Sequence, residues 1–256
     1  MRLPLPDKLL TDVRTRPFGL VMSPPGLFFA AALLGVVLLL LVYEVLFGTK
    51  SQSHVPVAVG TAIYLFGVAL AGFRLKRAFP HRALGLCNLV TLARLVIVGI
   101  LCAVVLAGIA PDWATFGIAA LALSLDGVDG WLARWQGLSS DFGAWFDVEV
   151  DAAFALILAV YAATNGAAGG FVILLGVPHY LFWSARRLLP WLDRPLRPSL
   201  SRKAVCVFQI GTLIALQAPF ISQGQLNLVI AAVALALIWS FGRDILWLWR
   251  TREEAI

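Results

Sequence analysis

Long apolar runs separated by short polar segments dominate this chain, and they predict membrane-spanning helices. A transmembrane helix needs about 20 mainly apolar residues, because it rises about 1.5 Å per residue through roughly 30 Å of hydrocarbon. Six runs meet that length clearly, and two more meet it although they carry acidic residues. The eight predicted spans cover roughly 26–47, 55–73, 90–110, 114–134, 142–163, 169–185, 204–222 and 226–247.

Composition agrees with a chain whose main solvent is lipid. Of its 256 residues, 61% are hydrophobic and 13% are charged, whereas soluble domains average about 25% charged residues. The net charge of +6 would suit nucleic acid, but the basic residues lie in the gaps between apolar runs, where they mark membrane topology. We therefore predict an all-α polytopic membrane protein that has no nucleic-acid partner.

The positions of the basic residues predict the side that each connection faces. Lys and Arg are enriched in cytoplasmic connections. With eight spans and the N-terminus inside, Lys50 is the only Lys or Arg of the connections that lies on the outer side of the membrane. The cytoplasmic set is Arg2, Lys8, Arg14, Arg16, Arg74, Lys76, Arg77, Arg82, Arg186, Arg187, Arg194, Arg197, Arg202, Lys203, Arg250 and Arg252. We expect a multi-pass protein of the cell (inner) membrane with both termini in the cytoplasm.

The two acidic spans carry the candidate chemistry. Asp126 and Asp129 are three residues apart, and Asp147 and Asp151 are four apart. On helices, either spacing places both carboxylates on one face. The segment 137–140, Gly-Leu-Ser-Ser, favours a turn between the two helices. Two antiparallel helices would therefore present four carboxylates to one pocket near the cytoplasmic side.

Four close carboxylates in a membrane need a proton or a cation. Each Asp at a helix centre costs roughly 2.5–3.5 kcal/mol on insertion scales, and the four also repel one another. Oxygen ligands suit Mg²⁺ or Mn²⁺, and paired ions about 3.5–4 Å apart can clamp a pyrophosphate. We predict that two such ions bind to Asp126, Asp129, Asp147 and Asp151.

Small residues and a base accompany the acids. Gly130, Ala133 and Gly143 would let a nucleotide approach the backbone, and Arg134 could neutralise a phosphate oxygen. The alternatives are a structural ion-pair set or a solvated loop. A solvated loop does not need small residues in helical register with its acids, and structural pairing would need more nearby bases than Arg134 alone.

These residues resemble the signature of the CDP-alcohol phosphotransferase family, D-x2-D-G-x2-A-R-x8-G-x3-D-x3-D. Every fixed position is matched, by Asp126, Asp129, Gly130, Ala133, Arg134, Gly143, Asp147 and Asp151. Residues 88–94, Asn-Leu-Val-Thr-Leu-Ala-Arg, resemble the N-L-x-T-x-x-R start of the family's first core helix. The resemblance implies a six-helix catalytic core in 86–256. An N-terminal cytoplasmic segment and two accessory spans would occupy 1–85.

The resemblance also implies a reaction and a role for each residue. A phosphatidyl (substituted phosphate) group would pass from a CDP-alcohol, first of all CDP-diacylglycerol, to a hydroxyl acceptor in phospholipid biosynthesis, and CMP would leave. The four aspartates would bind metal, and Asp151 would also be the general base. The nucleotide would be held by Gly130, Ala133, Arg134 and Gly143, and by Asn88 and Thr91, which could instead cap a helix. Family members are commonly homodimers whose pocket opens to the cytoplasm and to lipid.

Other functions compete with this one. Transfer of a CDP-linked choline or ethanolamine head group to diacylglycerol would use the same motif. A metal-dependent membrane prenyltransferase would need two Asp-rich motifs on distant helices, and a transporter or cation channel would not need the small residues.

Three further predictions concern single positions. Glu149 is expected to be a neutral or paired helix residue, His179 a core histidine, and Arg202 with Lys203 a candidate site for a phosphorylated acceptor.

Overall fold

The computed structural model describes residues 23–81, 83–194, 196–197, 199–220 and 226–251. Every regular element in these residues is helical. Several basic positions used to predict topology lie outside the described residues, namely Arg2, Lys8, Arg14, Arg16, Arg82 and Arg252.

The described helices follow the predicted apolar runs. They are α1 (Pro24–Phe47), α2 (Val55–Ala78), α3 (Leu86–Leu106), α4 (Trp113–Gln136), α5 (Asp141–Thr164), α6 (Pro178–Leu188), α7 (Leu200–Ala215) and α8 (Asn227–Arg250), with 3-10 turns at Gly48–Lys50, Gly170–Leu175 and Pro190–Leu192. Five of them, α1 to α4 and α8, are long and apolar enough to cross a membrane. The described chain is thus all-helical with five candidate membrane spans, which is fewer than the eight that the sequence predicts.

The predicted span 169–185 is not one continuous helix. Gly170–Leu175 is a 3-10 helix, and α6 begins only at Pro178. Proline has a fixed φ and no backbone N–H, so it suits the first turn of a helix and not its interior. Gly176, between the two pieces, lies against α5, where a Cβ would be 2.9 Å from the Leu156 Cα. Glycine therefore permits the close contact that accompanies the break.

The basic segment 186–203, which separates two predicted spans, is partly helical. Helix α6 continues to Leu188, and α7 already begins at Leu200. Ser199 caps α7, because its Oγ accepts a hydrogen bond from the Arg202 backbone N–H at 3.4 Å. A serine at this position satisfies one of the free N–H groups at the helix start.

Helix α3 is the centre of the fold and packs against α1, α2, α4 and α5. Its contact with α2 is close, because a Cβ on Gly60 would collide with the Gly99 carbonyl oxygen. Helix α1 joins the same group, since Tyr64 of α2 donates a hydrogen bond to the Ala32 carbonyl at 3.0 Å. The two N-terminal helices thus hold α3, whose first half faces the acidic helices.

Contacts between connections define two ends of the bundle. At one end, His81 Nε2 donates to the Ser139 carbonyl at 3.0 Å, which joins the α2–α3 connection to the α4–α5 turn. At the opposite end, Lys50 forms an ion pair with Asp112, which joins the α1–α2 connection to the start of α4. The four connections from α1 to α5 therefore alternate between the two ends, as expected of helices that run up and down.

Candidate active site

The turn between α4 and α5 brings the two acidic helix faces together. Gly137 ends α4 with a left-handed backbone (φ 64°), a conformation in which glycine carries no steric penalty. Ser140 then caps α5, because its Oγ accepts from the Gly143 N–H at 3.1 Å. The turn predicted over 137–140 is confirmed, and the acids on either side of it lie near the same end of the bundle.

All four motif carboxylates converge on one guanidinium, that of Arg94 in α3. Its Nη1 lies 3.0 Å from Asp126 Oδ1, 3.1 Å from Asp129 Oδ2 and 2.6 Å from Asp147 Oδ1, and its Nη2 contacts Asp151 Oδ1. The side chains of Arg94 and Asp129 are buried, while those of the other three aspartates are about one-third exposed. The structure therefore brings the two predicted carboxylate pairs to one place.

Arg94 is the member of this site that the sequence did not reveal. The expectation that Arg134 was the only base near the acids is wrong, because Arg94 pairs with them from another helix. A readable signal existed, since Arg94 ends the N-L-x-T-x-x-R segment of 88–94. One buried guanidinium still faces four carboxylates, so negative charge remains in excess and the ion pairs alone do not balance the site.

Three of these carboxylates could hold a metal ion. Asp126, Asp129 and Asp147 each offer one oxygen, and the three oxygens lie within 4.8 Å of one another. Hard oxygen donors that converge from two helices fit the ligand preference of Mg²⁺ or Mn²⁺. Asp151 is not part of this group of three. The donor set thus fits a divalent metal, as the sequence predicts, without fixing its identity or number.

A cavity of about 170 Å³ lies beside the acidic cluster at the α4–α5 turn. Two motif acids, Asp129 and Asp147, contribute to its wall. The same wall contains every residue that was predicted to hold the nucleotide, namely Asn88, Thr91, Gly130, Ala133, Arg134 and Gly143. The structure brings these residues together, and their roles in binding stay predictions.

Asn88 lies in this wall with its polar atoms unused. Its side chain is 1% exposed, and among the described residues neither amide atom has a hydrogen-bond partner. Leaving a buried polar group unpaired costs about 1–3 kcal/mol. Gly143 is the close neighbour that makes room for it, since a Cβ there would lie 3.1 Å from Asn88 Oδ1. An unpaired amide in a cavity wall is available to a polar ligand.

Thr91 orients one of the acids. It is 3% exposed, and its hydroxyl lies 3.1 Å from Asp129 Oδ2 and 3.0 Å from the Cys87 carbonyl. The suggestion that Asn88 or Thr91 caps a helix is wrong, because the N-cap position of α3 is Gly85 and the Leu86 N–H at the helix start donates to Gln136 Oε1 at 2.9 Å. Thr91 therefore touches both the cavity and a candidate metal ligand.

Comparison with known protein families decides the family. The model of the family described as CDP-alcohol phosphatidyltransferase matches residues 84–241, which is more than half of the chain. The chain belongs to the CDP-alcohol phosphatidyltransferase family. No curated protein and no solved structure matches it significantly.

Membership of the CDP-alcohol phosphatidyltransferase family makes this chain an enzyme, a phosphotransferase of a family that moves a phosphatidyl group from a CDP-alcohol. The matched residues include the first half of α3, with Arg94, and both acidic helices. Helices α1 and α2 lie before the match, although they pack directly on α3.

Two other predictions of the sequence concern residues beside this family motif. Glu149 lies against His179, with 3.6 Å between Oε1 and Nε2, and neither belongs to the acidic group that could hold metal. The prediction that Glu149 is paired is confirmed.

Arg202, a candidate for binding a phosphorylated acceptor, donates to Asp244 Oδ2 at 2.8 Å and to the Arg197 carbonyl at 3.0 Å. Its guanidinium is therefore already engaged within the protein, although it shares Asp244 with Arg243.

Proposed function

We propose that this enzyme transfers the phosphatidyl group of CDP-diacylglycerol to a small polar alcohol or its phosphate, releases CMP, and serves phospholipid biosynthesis. The observation that carries the proposal is the position of the cavity. It lies directly beside the four-aspartate cluster and is walled by the family's small residues and Arg134. One pocket can thus receive the nucleotide while the acids act on its phosphates.

The size of the cavity supports binding of only one end of the donor by the protein, with the other end in the lipid. Its volume of about 170 Å³ is below the ~300–1,000 Å³ of pockets that enclose a whole ligand. The cavity accordingly takes the cytidine and phosphate end, and the acyl chains remain in the membrane. Arg134 supplies positive charge to a phosphate oxygen. The Asn88 amide offers both a donor and an acceptor to the cytosine edge.

The reacting groups follow from the same arrangement. Asp126, Asp129, Asp147 and Asp151 would hold two Mg²⁺ or Mn²⁺ ions, which would supply positive charge to neutralise the pyrophosphate. The Asp151 carboxylate takes the proton of the acceptor hydroxyl. The acceptor oxygen bonds to the β-phosphorus, and the bond from that phosphorus to the bridging oxygen breaks. CMP leaves with the bridging oxygen.

The enzyme crosses the cell (inner) membrane eight times, with both termini and the active site on the cytoplasmic side. Two observations support this topology. The four connections from α1 to α5 alternate between two ends of the bundle, and the α2–α3 connection and the α4–α5 turn meet at the end where the site lies. Lys50 lies at the opposite end, as the charge bias requires. The functional unit is a homodimer, as the family resemblance suggests.

The test is a panel of acceptors and donors with the purified chain in lipid nanodiscs. Radiolabelled CDP-diacylglycerol is offered with glycerol 3-phosphate, inositol, inositol phosphate or serine, and the lipid products are separated and identified. We expect one acceptor to yield a labelled phospholipid together with an equal amount of CMP. Product formation only from CDP-choline or CDP-ethanolamine with diacylglycerol would replace this reaction by head-group transfer. Transfer of a prenyl group would contradict both.

A further inference from the structure

We propose that Arg94 is an internal counter-ion of the acidic cluster, and that its guanidinium must leave the carboxylates before a divalent metal ion binds there. The inference rests on the proposed metal-dependent function and adds a positioning residue to it. It concerns the competition between a fixed cation of the chain and a cation from solution.

The two cations would use the same carboxylates. Arg94 Nη1 lies 3.0 Å from Asp126, 3.1 Å from Asp129 and 2.6 Å from Asp147. These are the same three residues that could hold a metal ion. A carboxylate lone pair that accepts a hydrogen bond from a guanidinium cannot also coordinate an ion, and two cations at that distance repel. Arg94 and a metal ion therefore compete for the cluster.

The protein holds the guanidinium mainly through these carboxylates. Arg94 belongs to α3, whereas its acidic partners belong to α4 and α5. Within the described part of the chain, its buried Nε has no hydrogen-bond partner. When a metal ion takes over the carboxylates, the guanidinium loses every hydrogen bond that the described part of the chain gives it. A long side chain with several rotatable bonds can then swing towards the cavity and its phosphates.

Such a counter-ion would solve a problem of the metal-free protein. Four carboxylates at one place in a membrane protein repel one another and are costly to bury. A buried guanidinium offsets part of that repulsion, so the helices can pack before metal arrives. The same contact weakens metal binding, because the ion must first displace Arg94. Arg94 thus makes the empty site stable at the expense of metal affinity.

The experiment uses no substrate. Binding of Mn²⁺ is measured by electron paramagnetic resonance of the free ion, and the melting temperature is measured with and without chelator. In Arg94→Gln we expect Mn²⁺ affinity to tighten by about tenfold or more, equivalent to about 1.4 kcal/mol. The metal-free melting temperature should fall, and added Mn²⁺ should raise it by more than in the wild type. If Arg94→Gln does not survive chelator, purification in Mn²⁺ should rescue it, and the affinity is then measured by titrating chelator.

Arg186→Gln is the matched control, because Arg186, in the last turn of α6, pairs with Asp193 of the following connection and its side chain is 42% exposed. It should leave Mn²⁺ affinity unchanged. Equal or weaker Mn²⁺ binding by Arg94→Gln would overturn the competition while leaving the proposed function standing. Absence of Mn²⁺ binding from the wild type and Arg94→Gln alike would instead contradict the metal site of the proposed function, and the competition with it.

Discussion

The two ends of the helix bundle handle charge in opposite ways. At the end away from the active site, Lys50 faces Asp112, one base for one acid. Asp112 also caps α4, since its Oδ1 accepts from the Thr115 N–H at 2.8 Å and its own N–H donates to the Thr115 hydroxyl at 2.9 Å. At the active-site end, the single guanidinium of Arg94 faces four aspartates.

The charges at the Lys50–Asp112 end balance each other, whereas the aspartate cluster still needs positive charge. The Lys50–Asp112 pair is balanced, partly exposed and fully used in joining two connections. The aspartate cluster carries excess negative charge and lies next to an unpaired buried amide, that of Asn88. Proteins commonly accept such local instability where a ligand is to be bound. The predictions below test whether the two ends differ in this way.

The largest contrast is expected between two Asp→Asn substitutions. Asp151→Asn should keep the fold and lower the rate of CMP release by about 10²–10⁴-fold, because the acceptor loses its general base. Asp112→Asn at the opposite end should leave that rate near the wild-type value. Both are measured as CMP release at saturating donor, with circular dichroism to confirm folding. Near-normal turnover in Asp151→Asn would remove its assigned role.

Packing, as distinct from charge, is tested at Gly60. Gly60→Ala places a methyl group against the Gly99 carbonyl oxygen, and we expect a loss of about 1–3 kcal/mol in the free energy of unfolding. Gly117→Ala in α4 is the matched control, because in the described part of the chain no atom beyond its own helix turn lies within 4 Å of its missing Cβ. Thermal unfolding in detergent compares the two. Equal melting temperatures would show that α2 does not hold α3 through this contact.

Donor recognition is tested at Asn88. Asn88→Ala removes the amide that faces the cavity, and we expect KM for the CDP-alcohol to rise by about tenfold, or about 1.4 kcal/mol of binding. The melting temperature without donor should not fall, because the amide has no partner among the described residues to lose. Steady-state kinetics over a range of donor concentrations gives the measurement. An unchanged KM would place the nucleotide elsewhere.

The smallest effect is expected at the Lys50–Asp112 pair. Burial acts to raise the pKa of Asp112, but hydrogen bonds from Lys50 and the Thr115 N–H outweigh it and hold that pKa below its usual value. A lowered pKa stabilises the fold above the ordinary Asp pKa, and the contribution is lost as pH falls through the lowered one. Lys50→Gln should reduce stability by less than about 1 kcal/mol at neutral pH. The difference in melting temperature from the wild type should shrink at acid pH, and a constant difference would contradict this assignment.

Much of the site was predictable because its signals are local in the chain. The spacing of Asp126, Asp129, Asp147 and Asp151 fixes helix faces, and Gly137 with Ser140 fixes the turn between them. The contact of Arg94 was not predictable in this way. In the sequence, Arg94 is 35 positions from Asp129 and 57 positions from Asp151. The packing of α3 brings these residues into contact, and no local pattern reveals that packing.

Prediction of the fold from the sequence meets the same limit, because contacts between distant residues leave no local pattern. Hydropathy located the long helices well, because length and apolar character decide whether a segment can span lipid. It did not reveal that 169–185 is broken, because a window of apolar residues averages over Gly176 and Pro178. Nor does hydropathy report that α1 and α2 pack on α3, a contact that depends on the absence of side chains at Gly60 and Gly99.

The most direct test of the whole account is CMP release by the purified wild-type chain from CDP-diacylglycerol, with and without a divalent cation. We predict that CMP appears only when Mg²⁺ or Mn²⁺ and a hydroxyl acceptor are both present, and that chelator stops its release reversibly. Failure to release CMP from any CDP-alcohol in the presence of either cation, together with cation flux through the protein in liposomes, would contradict it.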